Sequence, residues 1–201
     1  MKKKVLVAVA HPDDETLWCG GFLLQNPEWE KTIISFTRES DKDRNPKFFK
    51  VCNYYGAKGF MSDLDDGPEQ KILSYEDYEK ALKEKLVEND FDIILTHNPF
   101  GEYTRHLRHE EVSDAVLFML CKGVLKSKEL WRFNYFDNKR KEFPKVKEDS
   151  DFILELTDEI FEKKKEIVHQ IYGFSQDSWE FKAIPKIEGF KIKKEFLRSK
   201  R

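Results

Sequence analysis

Residues 5–10 (VLVAVA) are uniformly apolar and run straight into His11-Pro12-Asp13-Asp14-Glu15. A half-exposed strand would show a polar residue at every second position, whereas an unbroken apolar run reads as a strand covered on both faces. Such strands belong to parallel sheets sandwiched between helices. Residues 32–37 (TIISFT) and 91–96 (FDIILT) read as the second strand and another core strand, and 57–61 and 130–136 as further short strands. Between them the apolar spacing is helical. Leu17, Trp18, Phe22 and Leu23 form one stripe, and segments 48–55, 75–89, 110–122 and 161–172 carry others. The alternation predicts an α/β fold: a single Rossmann-like domain over residues 1–201, with a mostly parallel sheet flanked by helices. From about residue 186 the chain turns basic and loses its pattern, which predicts a solvated tail.

Charge and cysteine content narrow the function classes. With 36 Lys and Arg against 38 Asp and Glu, the net charge is -2, so no overall field draws in nucleic acid. No apolar run approaches a membrane span. Lys2-Lys3-Lys4 and the apolar run behind it resemble the start of a signal peptide, but the run stops at His11, too early for a signal core. The three cysteines (Cys19, Cys52 and Cys121) lack CxxC spacing and sit in apolar surroundings. That predicts small buried thiols and a cytoplasmic location.

Chemistry gathers where strands end, which is where ligands bind in doubly wound sheets. After the first strand, His11 and Asp14 can point at one spot while Pro12 stiffens the turn. The same acids serve equally well as a helix start, with Asp13 and Asp14 at the cap and in the first turn. The second segment tips the balance. Of five histidines, three (His97, His106 and His109) lie within thirteen residues after one strand. His106 and His109 are three apart at a helix start, so both can face one side. Opposite a His/Asp pair they suggest a mixed nitrogen and oxygen ligand set. Zinc (Zn2+) suits such a set, with three protein ligands and one open position; ferrous iron (Fe2+) accepts the same ligands. His97 reads as a hydrogen-bonded histidine lining the site. Glu102 and Glu110 can orient the histidine rings, although Glu110 is equally an ordinary helix-start acid. His169 reads as a packing or surface residue.

VAVAHPDDETLWCGG and THNPFGEYTRHLRHEEV resemble the two signatures of the PIG-L (LmbE-like) N-acetylglucosaminyl deacetylases, and the resemblance runs from about residue 3 to 120. It implies a Rossmann-like fold, one zinc ion and hydrolysis of an N-acetyl amino sugar or sugar conjugate to acetate and a free amine. Carried over by position, His11, Asp14 and His109 match the metal ligands, Asp13 the general base and His106 the histidine that steadies the oxyanion. Arg44, Asp66 and Tyr103 match substrate-binding positions, with His97 grouped beside them. The stretch Tyr103-Thr104-Arg105-His106 is one residue longer than the usual pattern, and Leu107-Arg108 stand where proline and a polar residue are common. These departures bear on the shape of the loop and leave the ligands in place. Two other readings stay open: a zinc amidase for a non-sugar or thiol-conjugate amide, and a metal- or sugar-binding module without catalysis. A receiver-like magnesium module would need a phospho-acceptor aspartate at a later strand end, where this chain has Thr96-His97-Asn98.

Overall fold

The structure is a computed structural model that describes residues 2–103 and 106–194. Five strands pair in parallel: β1 (Lys4–Val9), β2 (Glu30–Ser35), β3 (Ala57–Met61), β4 (Asp90–Thr96) and β5 (Lys126–Phe133). A short hairpin of β6 (Tyr135–Phe136) and β7 (Lys145–Val146) follows. Then β8 (Phe152–Glu155) and β9 (Ile187–Lys193) complete the main sheet as antiparallel strands, in the order β3-β2-β1-β4-β5-β9-β8. The helices are α1 (Asp14–Gln25), α2 (Arg44–Tyr54), α3 (Tyr75–Lys85), α4 (Leu107–Lys122), α5 (Asp158–Glu166) and α6 (Trp179–Lys182), with a π-helical turn (Ile167–Ile171) directly after α5.

The apolar run at the start of the chain is explained by two cores. Side chains of a strand alternate between faces. Val5, Val7 and Val9 pack against α1, α2 and the π-helical turn, while Leu6, Ala8 and Ala10 pack against α3 and α4. All six are fully buried. Strand order reverses between β1 and β4, so a crevice opens beyond their carboxyl ends. His11 and His97 stand at its two sides.

The expected tail is instead a strand. Lys191 and Lys193 alternate outward along β9, while Glu188 and Phe190 turn inward, so a basic composition concealed a period-two pattern. Residues 195–201 lie outside the described part. The inward Glu188 has a structural task. Helix α1 breaks at Cys19 (φ -144°, ψ 16°), which frees the amides that follow. The Glu188 carboxylate accepts from Gly21 N and Phe22 N, both at 2.7 Å, and from Lys164 Nζ of α5 at 2.6 Å. A Cβ at Gly21 would lie 2.3 Å from Leu156 Cδ2, so any larger residue there requires Leu156 to move. Lys164 and Glu188 are both fully buried. Breaking such a pair strands a charge, so Lys164→Met is expected to lose about 3–5 kcal/mol of stability. Urea unfolding should show a lower midpoint with an unchanged slope.

Smaller differences also have local causes. Helix α2 starts at Arg44 rather than Phe48, because Asp41 Oδ1 accepts from the amides of Asp43 and Arg44, both at 2.9 Å. Pro46 then sits in the first turn, where its missing N–H is not needed. Cys19 and Cys52 are buried as expected, whereas Cys121 is exposed. Among the described residues no helix is long and apolar enough to cross a membrane.

Candidate metal centre

Three donor atoms meet at the crevice between β1 and β4. His11 Nδ1 lies 3.1 Å from Asp14 Oδ2 and 3.2 Å from His109 Nε2, and His109 Nε2 lies 3.3 Å from Asp14 Oδ2. A tetrahedral zinc with ligands at 2.0–2.1 Å has ligand-to-ligand edges of about 3.3 Å. The triangle therefore matches one face of such a tetrahedron and leaves the fourth corner open. Donor atoms also cluster as His11, His106 and His109, and as Asp14, His97 and His109, each set within 4.8 Å. His109 belongs to both sets.

The outer atom of each donor group is held in place. Asp14 Oδ1 accepts from Trp18 Nε1 at 3.0 Å, one helical turn along α1. His109 Nδ1 meets Glu102 Oε2 at 2.7 Å, and His11 Nε2 meets Asp66 Oδ1 at 3.1 Å. Metal-bound histidines characteristically donate their second N–H to a carboxylate, which sets the tautomer and the ring angle. Glu102 is fully buried. Burial alone would raise its carboxyl, but His97 and His109 hold it down at about 2. Asp14 is likewise held well below the usual carboxylate range against its burial, chiefly by His109 and His97.

This arrangement changes the reading of two residues. His97 is not part of the cavity lining: it is fully buried, Nε2 accepts from Ala10 N at 3.0 Å and Nδ1 pairs with Glu102 at 3.0 Å. With its acceptor nitrogen taken by a backbone amide, it serves as packing behind His109, on which its ring stacks at 3.9 Å. Asp66, matched above to a substrate-binding position, also contacts His11. It accepts from Arg38 Nε at 2.9 Å and NH2 at 2.7 Å, and from Gln70 Nε2 at 2.7 Å, while holding His11. Its first role is to orient His11, although it also lines the cavity.

Asp13 occupies the N-cap position of α1, yet its side chain makes no capping bond and its φ is 126°. Asp14 stands in the first turn as expected, and only the side-chain bond of the cap is missing. Asp13 N instead donates to Glu15 Oε2 at 3.0 Å. Glu15 is fully buried and accepts from Thr16 Oγ1 at 2.6 Å and Tyr172 OH at 2.7 Å. A backbone held this far from favoured φ is characteristic of sites where geometry is kept for function. The result is that the Asp13 carboxylate stays off the ligand triangle and faces the cavity, where Arg44 NH1 donates to Oδ2 at 3.0 Å. The Arg44 guanidinium also lies 4.5 Å over the Phe174 ring. Burial and the neighbouring Asp14 charge push the Asp13 carboxyl well above the ordinary range, with Arg44 pulling the other way.

The cavity holds about 240 Å³ and includes His11, Asp13, Asp14, Arg38, Arg44, Asp66, Tyr103 and His106 in its lining, together with Trp179 and Glu180. His106 caps α4, and its ring stacks on His109 at 4.5 Å. Its Nδ1 is buried with no hydrogen-bond partner among the described residues. Burial and the His109 and His11 rings push its pKa down to about 4, so it is neutral at ordinary pH. A neutral imidazole with a spare nitrogen is equipped to meet a ligand atom. Tyr103 packs between Trp18 at 5.8 Å and Trp179 at 4.7 Å; the two residues after it lie outside the described part. Arg38, Trp179 and Glu180 were absent from the sequence-based site. The latter two come from a segment with no pattern tying it to the strand ends.

No family model matches this chain. It is 27% identical over 128 residues to uncharacterized protein L374 of Acanthamoeba polyphaga mimivirus, and spans about half (56%) of that relative's length and 56% of its own. Among solved structures it is similar to GalB, the 4-carboxy-2-hydroxymuconate hydratase of Pseudomonas putida KT2440, with 14% identity, 96% of each chain covered and a TM-score of 0.62. It is also similar to a deacetylase of the teicoplanin biosynthesis pathway, with 13% identity, 84% of each chain covered and a TM-score of 0.60; the zinc-inhibited form of teicoplanin deacetylase Orf2 gives 0.58. At these identities the likeness establishes the fold: a mostly parallel seven-stranded sheet flanked by helices.

Proposed function

We propose that this protein is a metal-dependent hydrolase that removes the acetyl group from an N-acetyl amino sugar or its conjugate, releasing acetate and a free amine. One observation carries the reading: a ligand triangle with an open corner, flanked by a carboxylate left off it (Asp13) and a neutral histidine with an unpartnered nitrogen (His106). The likeness to the teicoplanin-pathway deacetylase supports it, while the likeness to a hydratase shows that the fold by itself does not choose the reaction.

His11 Nδ1, Asp14 Oδ2 and His109 Nε2 would hold the metal. When bound, zinc polarises an acyl oxygen and lowers the pKa of a water towards about 7. Asp13 would take the proton of the attacking water, a role open to a carboxylate that faces the cavity and stands off the ligand triangle. Arg44 keeps the Asp13 carboxylate turned to the cavity. The His106 ring N–H faces the oxygen on which negative charge develops, a contact worth roughly 3 kcal/mol at related sites. The proton held on Asp13 then passes to the departing nitrogen, which restores the base and completes the proton balance.

The test is acetate release from a panel of N-acetyl sugars by protein loaded with zinc or with ferrous iron. The ferrous arm matters because a similar deacetylase has a zinc-inhibited form. Release from at least one sugar is expected. Metal-loaded protein that releases acetate from none would overturn the reading in favour of a binding module.

A further inference from the structure

Arg108 stands in the stretch Leu107-Arg108 that departs from the usual second signature, and the proposed chemistry makes no use of it. It is nonetheless fully buried. Arginine is almost never buried to this degree unless its charge and its N–H groups are met. Three of its nitrogens are engaged. NH1 pairs with Glu111, one turn along α4, while Nε donates to Asp65 O at 2.5 Å and NH2 to Lys71 O at 2.9 Å. The Glu111 carboxylate is shared in turn, accepting from Tyr78 OH of α3 at 2.8 Å and from Leu73 N at 3.0 Å.

Residues 65–73 belong to the irregular stretch between β3 and α3. No helix or strand ladder satisfies their backbone, so partners have to come from elsewhere. One guanidinium therefore ties two points of this loop, Asp65 and Lys71, to the first turn of α4.

What the loop carries gives the tie its meaning. Asp66, next to Asp65, meets His11 Nε2 at 3.1 Å and accepts from Arg38 Nε and NH2 at 2.9 and 2.7 Å. All three residues line the reaction cavity. On the helix side, the residue after Arg108 is His109. Successive side chains on a helix diverge by about 100°, so α4 turns His109 to the ligand triangle and Arg108 to the loop. Arg108 thus links both histidine corners of the triangle: His109 along the chain, and His11 through Asp65 and Asp66.

We propose that Arg108 is a positioning residue: its guanidinium holds the 65–71 loop against α4, so that Asp66 fixes the His11 ring where it faces His109 across the metal position. It touches neither metal nor substrate and acts through Asp66. The inference rests on the metal-hydrolase reading, and its test reads metal binding and loop exposure rather than turnover.

Lysine offers a point charge on a flexible stem in place of a planar fork. Arg108→Lys therefore keeps a charge opposite Glu111 but cannot serve both carbonyls. In the full chain it should speed trypsin cleavage after the exposed Lys71, read by mass spectrometry. Affinity for zinc or cobalt should fall roughly 10–100-fold, as for other groups that orient a ligand, and the visible absorption of the cobalt-loaded protein should change. Asp66→Ala should lose a similar factor. The double variant R108K/D66A should lose no more than D66A alone, because both changes cut one path.

A folded R108K protein with wild-type metal affinity and cobalt spectrum would overturn the proposal, as would losses that simply add in R108K/D66A. If R108K does not fold, R108M/E111Q, which removes both buried charges together, is measured in its place. Failure of both to fold would make Arg108 a determinant of stability alone and overturn the positioning role. Wild-type protein that binds neither metal would defeat the metal-hydrolase reading itself. Faster cleavage after Lys71 in R108K would then still uphold the clamp on the loop, and unchanged cleavage would overturn it.

Discussion

His109→Ala is expected to strip the metal from the protein and abolish turnover with it. His109 Nε2 is one corner of the proposed ligand triangle and lies within 3.3 Å of both other donors. The nearest imidazole behind it is His97, whose Nε2 is already taken by the Ala10 amide. His106 is close, but its ring is carried by the residue that caps α4 and faces the cavity. Removing a hydrogen-bond partner outside the ligand sphere typically costs about 10–100-fold in metal affinity, and removing a ligand should exceed that. Glu102→Gln supplies the comparison. It keeps all three ligands but weakens the bond that orients His109, so its affinity should fall only within that 10–100-fold range. Metal content after dialysis against a graded chelator, read beside activity, distinguishes the three proteins. A fully metallated His109→Ala protein would remove His109 from the ligand set.

The parts of this molecule that are legible in the sequence share a physical property: their signal is local. The centres of β1 (Val5–Val9) and β4 (Ile93–Leu95) announce themselves because burial on both faces selects apolar residues. The His11/Asp14 and His106/His109 pairs each have i, i+3 spacing, and the reversal of strand order in a doubly wound sheet sets the carboxyl ends of β1 and β4 side by side. Local spacing plus a topology rule is thus enough to bring these four residues into one crevice. What stays hidden depends on distant partners. Glu188 looks like one acid in a basic tail until its carboxylate is seen bonded to amides of α1, more than 160 residues away in sequence. Asp66 resembles any turn acid because its bond to His11 crosses from a loop of irregular chain. Trp179 reaches the cavity from a four-residue helix with no periodicity to read. Residues after 120, beyond the two signatures, contribute the cavity wall, the support behind Glu15 and the brace under Arg44. The residues proposed for catalysis lie in the first half of the chain, and many of those that position them in the second.

Asp13→Asn should separate chemistry from metal binding. Asparagine has the shape of aspartate and is one of the few non-glycine residues that tolerate positive φ, so the bond from residue 13 N to Glu15 can persist. The side-chain oxygen can still accept from Arg44. The ligand triangle is untouched, because Asp13 is not part of it. What is lost is the ability to accept a proton, and general-base catalysis is typically worth about 10²–10⁴-fold. The expected result is normal metal content, a KM close to the wild-type value and a kcat lowered by that factor. A loss of metal together with activity would instead mean that Asp13 shapes the triangle through its strained backbone. Wild-type turnover in a fully metallated variant would exclude Asp13 as the base. The role would then pass to another cavity group, and His106, neutral and with an unpartnered nitrogen, is the one that stands beside the same open corner.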